Sequence, residues 1–268
     1  MSTAAITGRV TQARVAQSEW TKLWSLRSTR WTLLAAFVGM IAPGIIIAAV
    51  QMNRWNTIGA DERARFSAID TGVGGFHLAQ LAIAVLGVLV ISGEYSTGMI
   101  RSSLMAVPRR LPVLFAKLGV FAAVTFVLML AASVVSYLVV QSIVAGHQLD
   151  HPLTSAPALR VVVGTALFLT VLGLFACGLG ALTRSTAGGI GSFVGLLFVL
   201  PGITALLPAS TSDAINPYLP WNAGSAVATA VFEDPLHHLS PWTGFAVFCG
   251  YTAIVVAAAA VLLVRRDA

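Results

Sequence analysis

Six runs of about twenty apolar residues, none holding an aspartate, glutamate, lysine or arginine, dominate this 268-residue chain. They cover residues 31–50, 74–92, 118–144, 161–183, 187–207 and 242–264. A helix needs about 20 such residues to cross the hydrocarbon of a bilayer, and in lipid only helices and closed barrels satisfy their own backbone. The runs therefore predict an all-α polytopic membrane protein with six transmembrane helices. Composition excludes a sizeable soluble domain. Only 10% of residues are charged, where a soluble domain carries about 25%. The net charge of +6 would suggest nucleic acid in a soluble chain. Here the sidedness of the spans explains it, and no nucleic-acid partner is expected.

An even number of crossings puts both termini on one side. With the amino terminus inside, the inner segments hold twelve basic residues: Arg9, Arg14, Lys22, Arg27, Arg30, Arg101, Arg109, Arg110, Lys117, Arg184, Arg265 and Arg266. The outer segments hold four, Arg54, Arg63, Arg65 and Arg160. Excess lysine and arginine marks cytoplasmic loops, so both termini are expected in the cytoplasm. The acids run the other way, with Glu19, Glu94 and Asp267 inside and the remaining seven outside.

Residues 1–30 are too polar for a cleavable leader. Trp20, Leu23 and Trp24 recur at helical spacing with Lys22, Arg27 and Arg30 between them. That pattern predicts an amphipathic helix in the membrane interface, its tryptophans at headgroup depth. The chain thus divides into a cytosolic amino terminus, 1–30, and a six-span domain, 31–268.

Between spans two and three lies the longest polar passage, 93–117, GEYSTGMIRSSLMAVPRRLPVLFAK. Tyr95, Met99, Ser102 and Ser103 fall at helical spacing, and Pro108 and Pro112 are expected to stop that helix before span three. We read it as a short cytosolic helix across the membrane face, available to a partner. The inner link Arg184-Ser185-Thr186 reads as a tight hairpin. The last outer segment, 208–241, carries five prolines and a small-residue helix candidate from Asn222, an expected cap, to Phe232. That helix is too short to span and too apolar for water, so a re-entrant or interfacial hairpin is expected. Asp61–Phe66 is expected to form a surface helical turn in the first outer loop.

Gly191 and Gly195 form a G-x-x-x-G pair in span five, and Gly173, Cys177, Gly178 and Gly180 give span four similar character. Small residues at this spacing let helices approach closely, within the chain or at a subunit interface. Cys177 and Cys249 sit inside apolar runs and read as small buried hydrophobes. His237 and His238, near Glu233 and Asp234, read as solvated loop histidines rather than a metal pair, and His77 as an interface residue. No P-loop, H-E-x-x-H or G-x-S-x-G motif occurs. No catalytic, metal-binding or cofactor-binding residues are assigned. The apolar runs hold no carboxylate to relay protons or sodium ions, so the energy for transport is expected to enter from outside the chain.

Three stretches are similar to ABC-2 type transporter permeases of the actinobacterial kind. They are EWTKLWSLRST (19–29), ISGEYSTGMIRSSLMAVPRR (91–110) and NPYLPWNAG (216–224). The resemblance covers nearly the whole chain, and GEYSTGMIRSSL is its most specific part. It implies a transport subunit without its own ATPase site in a bacterial plasma membrane. The implied partners are a second permease copy, identical or paralogous, and separately encoded cytosolic ABC ATPases that bind ATP and Mg. It implies that Glu19, Trp20, Lys22, Trp24 and Arg27 belong to the interfacial helix. It places Glu94, Tyr95, Thr97, Met99, Arg101 and Ser102 in or beside an ATPase-coupling helix. Spans two and five would line the path, and 216–232 would form the outer re-entrant helices. An uncharged path suits efflux of a hydrophobic or amphipathic compound. The alternatives are an intramembrane enzyme, for which the polar pairs on offer are poor, and a non-transporting scaffold.

Overall fold

The computed structural model describes residues 11–98, 110–231 and 239–265, and these are helical with no strand among them. An opening helix, α1 (Gln12–Ser25), lies beside six helices long and apolar enough to cross a membrane. These are α2 (Arg27–Asn53), α5 (Phe76–Ser96), α6 (Arg110–Val144), α7 (Ala156–Thr183), the broken fifth span (Thr186–Thr204) and α12 (Pro241–Arg265). The fifth span is α8 (Thr186–Val194), a π-helical turn (Gly195–Val199) and α9 (Leu200–Thr204). Pro201 has no amide hydrogen to give back to the preceding turn, and the widened turn sits immediately before it.

Short helices lie at the end of the bundle away from α1. They are α3 (Ala60–Arg65), α4 (Ala68–Gly72), α10 (Ala209–Ile215) and α11 (Pro220–Ser225), with single 3-10 turns at Ala145–His147, Asn216–Tyr218 and Ala226–Ala228. The expected surface turn near Asp61 is α3. Ser67 caps α4 by accepting from the Asp70 amide at 3.2 Å.

The fourth span is the axis of the chain. Its most apolar stretch is 78% buried, against 17% for the fifth span and 22% for α12. Its small residues explain why. A methyl group on Gly87 of α5 would come within 2.5 Å of the Gly173 carbonyl oxygen on α7, so the two backbones touch there. Phe121 and Ile83 pack beside Gly173, within one buried core that also holds Phe168, Leu169, Leu172 and Phe248. The peripheral spans instead present Ile46, Phe198, Val199, Ile203 and Ile254 outward. An apolar exterior of this kind fits lipid or another membrane helix.

Three expectations change. Every crossing begins before, or ends beyond, its apolar run. Consequently Glu94 lies in the last turn of α5 and Lys117 in the third turn of α6, and the span helices are not free of charge. Pro112 lies within α6, close to the first described residue of that helix, and the helix it is expected to stop lies outside the described residues. Asn222 is not a cap. Leu219 holds that position, Pro220 starts α11, and the Asn222 side-chain Nδ2 donates to the Asn216 carbonyl at 2.8 Å. The small-residue helix also ends early, with Thr229 extended after the turn at Ala226–Ala228.

Candidate functional site

The polar chemistry of the bundle gathers where α1, α5 and α6 meet. On α1 the buried stripe is Val15, Glu19 and Leu23, four residues apart each time. Trp20 and Trp24 point the other way, exposed, with ring centroids 5.8 Å apart. Leu23 therefore belongs to the protein-facing stripe rather than to the tryptophan face. Glu19 carries a carboxylate into the bundle, and Lys22, one turn on, lies beside it.

Four side chains close an alternating ring there. The Lys22 ammonium donates to Glu19 Oε1 at 2.8 Å and to Glu94 Oε1 at 3.1 Å. The Lys117 ammonium donates to Glu94 Oε1 at 2.8 Å and to Glu19 Oε2. Glu19, Glu94 and Lys117 are buried, at 4%, 8% and 7% exposure, so solvent barely screens these pairs. Two acids and two bases leave the ring neutral. Burial alone would push the Lys22 ammonium down, but the Glu19 hydrogen bond and the charges of Glu94 and Glu19 outweigh it, and the net shift is upward. Isolated buried charges would be prohibitive, and the ring lets three of them stay inside.

The opposite face of the α5 terminus reaches a different element. Arg184 ends α7 in the left-handed conformation at φ 51°, which sharpens the hairpin expected at 184–186. Ser185 caps α8 by accepting from the Gly188 amide at 3.3 Å. The Arg184 guanidinium lies 5.1 Å from the centre of the Tyr95 ring. One turn earlier, the hydroxyls of Ser92 and Thr186 are 2.8 Å apart. The last two turns of α5 thus hold α1 and α6 through Glu94, the end of α7 through Tyr95, and the start of the fifth span through Ser92. Thr97 closes α5, its hydroxyl donating to the Gly93 carbonyl at 2.8 Å.

At the far end, aromatic rings surround Trp221. Its indole stacks on Phe76 with centroids 5.8 Å apart and planes 4° apart, and Phe168, Phe198 and His77 approach from other sides. A cavity of about 360 Å³ opens beside them, lined also by Asp70, Asn222 and Ser225. Asp70 accepts from the amides of Ala230 at 2.6 Å and Val231 at 3.2 Å. Arg160 donates to the Thr229 carbonyl at 2.9 Å. These contacts pin the end of the hairpin to α4 and α7.

The sequence model described as ABC-2 family transporter protein matches residues 16–202, from within α1 to within α9. The chain belongs to the ABC-2 transporter family. No curated protein matches it. It is a multi-pass transporter permease.

Of the residues that the family resemblance singled out, this ABC-2 permease brings Glu19, Lys22 and Glu94 into one ring. Tyr95 meets Arg184, Thr97 is exposed at the end of α5, and Arg27 begins α2. Met99, Arg101 and Ser102 lie outside the described residues, as do His237 and His238, so the cytosolic helix expected over 93–117 is described only at its two ends. Both ends belong to the flanking spans. A methyl group on Gly191 or Gly195 would meet nothing within 4 Å, so this pair packs against no other part of the described chain. Sequence reasoning missed Lys117, Arg184 and Thr186 as partners. For Lys117 a signal existed, a lysine one residue before a long apolar run and opposite in sign to Glu94.

Proposed function

We propose that this permease is the membrane subunit of an exporter driven by separate cytosolic ABC ATPases. ATP and Mg then bind the ATPases and not this chain. The observation that carries the proposal is the convergence on the last two turns of α5. A motor that grips the segment after Thr97 pulls on a helix end tied to α1, α6 and the fifth span together. Nucleotide-driven closure is then transmitted as a rigid-body shift of packed helices. The basic excess at this end supports a cytoplasmic location for both termini in a bacterial plasma membrane. Residues 1–30 are then the cytosolic portion and 31–268 the permease domain.

Two permease copies, identical or paralogous, enclose the path. The exposed fifth-span face with Gly191, Gly195 and Phe198 supports the dimer contact. The apolar walls support a hydrophobic or amphipathic cargo moving outward.

The test is reconstitution of the permease with a candidate partner ABC ATPase. The pair is expected to show ATP-dependent efflux that neither shows alone. Glu94→Gln and Arg101→Ala are each expected to cut efflux at least tenfold while ATP hydrolysis and membrane insertion persist. Full efflux in both variants would remove the coupling role from this segment.

A further inference from the structure

We infer that the first turn of α2 binds the phosphate of an anionic phospholipid, with part of that lipid in the cleft beside it. α2 starts without the groups that complete a helix end. Its cap, Leu26, is extended at φ −84° and ψ 122° and offers no side-chain acceptor. The first backbone bond runs from the Arg30 amide to the Leu26 carbonyl at 3.4 Å. The amides of Arg27, Ser28 and Thr29 are left without an acceptor among the described residues. The turn holds no acid, and two exposed arginines, Arg27 and Arg30, stand at the positive end of the helix dipole. Open amides and uncompensated positive charge together favour an anion.

Thr29 points to the same ligand independently. It is only 3% exposed, yet it lines a cleft of about 250 Å³ between α1, α2, α5 and α6. Six hydroxyl side chains stand on the cleft walls. Ser25 donates to the Lys22 carbonyl, Thr32 to that of Ser28, and Ser96 and Thr97 to that of Gly93. The hydroxyls of Thr29 and Ser28 have no partner among the described residues. One turn thus offers two hydroxyls and three amides, the donors that phosphate oxygens accept from. The ionic ring closes another wall with its carboxylates engaged by lysines, and Lys22, at 28% side-chain exposure, is its most accessible member. A lipid, rather than a free phosphate, suits the rest of the cleft, which is lined by Leu86, Leu89, Val90 and Val120. Trp31 and Leu34, exposed one turn beyond Arg27 and Arg30, set this turn at headgroup depth. Binding belongs to the permease alone and does not depend on the motor or the direction of transport.

The test is native mass spectrometry of the purified full-length permease, without ATPase, offered phosphatidylglycerol, phosphatidylcholine and glycerol 1-phosphate in turn. Phosphatidylglycerol is expected to be retained at least about tenfold above phosphatidylcholine. Leu26→Asp supplies the missing acceptor and a negative charge from within the chain. It is expected to fold at least as stably as the wild type and to erase the lipid preference. Thr29→Val removes the buried hydroxyl with no change of charge and is expected to lower phosphatidylglycerol retention about threefold or more. Equal retention of the two lipids by the wild type overturns the inference. A preference that survives Leu26→Asp, or retention unmoved by Thr29→Val, also overturns it, because a diffuse basic surface then accounts for the binding. Retention of glycerol 1-phosphate as firm as that of phosphatidylglycerol overturns the lipid assignment. ATP-driven efflux measured on the same preparations with an ATPase added reports separately on the transporter reading.

Discussion

Glu94 shares its ring with three partners, Glu19, Lys22 and Lys117, and is buried, so the ring is sensitive to the loss of any one member. Removing Lys117 leaves two buried carboxylates sharing one lysine. Breaking a buried pair from one side costs about 3–5 kcal/mol, because the abandoned charge stays inside. Lys117→Met is therefore expected to lower thermal stability sharply in detergent. Lys117→Met combined with Glu94→Leu, which removes one charge of each sign, is expected to recover much of the loss; a thermal shift assay on the three proteins checks this. Lys22 adds a pH signature. Its ammonium is favoured in the fold, so its stabilisation is complete below its ordinary value of 10.5 and is lost as pH rises through the higher folded value. The stability difference between wild type and Lys22→Gln is thus expected to be flat from neutral pH to about 10 and to shrink only above 10.5. A difference that vanishes near pH 8 would contradict the ring.

The helices were largely legible in the sequence, because six charge-free runs leave a chain no other way to satisfy its backbone in lipid. Their ends were less so. Hydropathy marks where a helix is greasy rather than where its hydrogen bonds stop, and so Glu94 and Lys117 were assigned to a connector when they sit in spans. Positions 19, 94 and 117 are brought together by tertiary packing, which no local spacing records. Asn222 misled for a local reason: the fixed φ of Pro220 suits the first helical position and set the start of α11 two residues earlier. The glycines separate by element too. Gly87 lies against the Gly173 carbonyl, whereas Gly191 faces open space. Gly87→Leu is expected to destabilise the permease by about 1–3 kcal/mol or more through overpacking. Gly191→Leu is expected to change the stability of the isolated chain by less than about 0.5 kcal/mol. Thermal denaturation of both variants as monomers checks the contrast.

Across the whole molecule the two ends are built differently. At one, ion pairs and a guanidinium–ring contact tie helix termini to each other; at the other, Asp70 and Arg160 hold backbone amides and carbonyls of the proline-rich hairpin around Trp221. The first arrangement suits transmission of force, the second a closure that can loosen. Arg160→Ala is expected to free the 227–231 segment, measurable as faster amide exchange there with the α5 terminus unchanged. The fifth span is open along Gly191 and Gly195, where an added methyl group would meet nothing within 4 Å. The most direct measurement places a photo-crosslinking residue at Thr97, exposed at the end of α5, and a second at Val231 on the opposite end, in cells that co-express the ATPase with which the permease supports efflux. Capture of the ATPase from Thr97 and not from Val231 is the predicted result; capture from Val231, or from neither position while efflux remains ATP-dependent, would contradict a motor held at the end of α5.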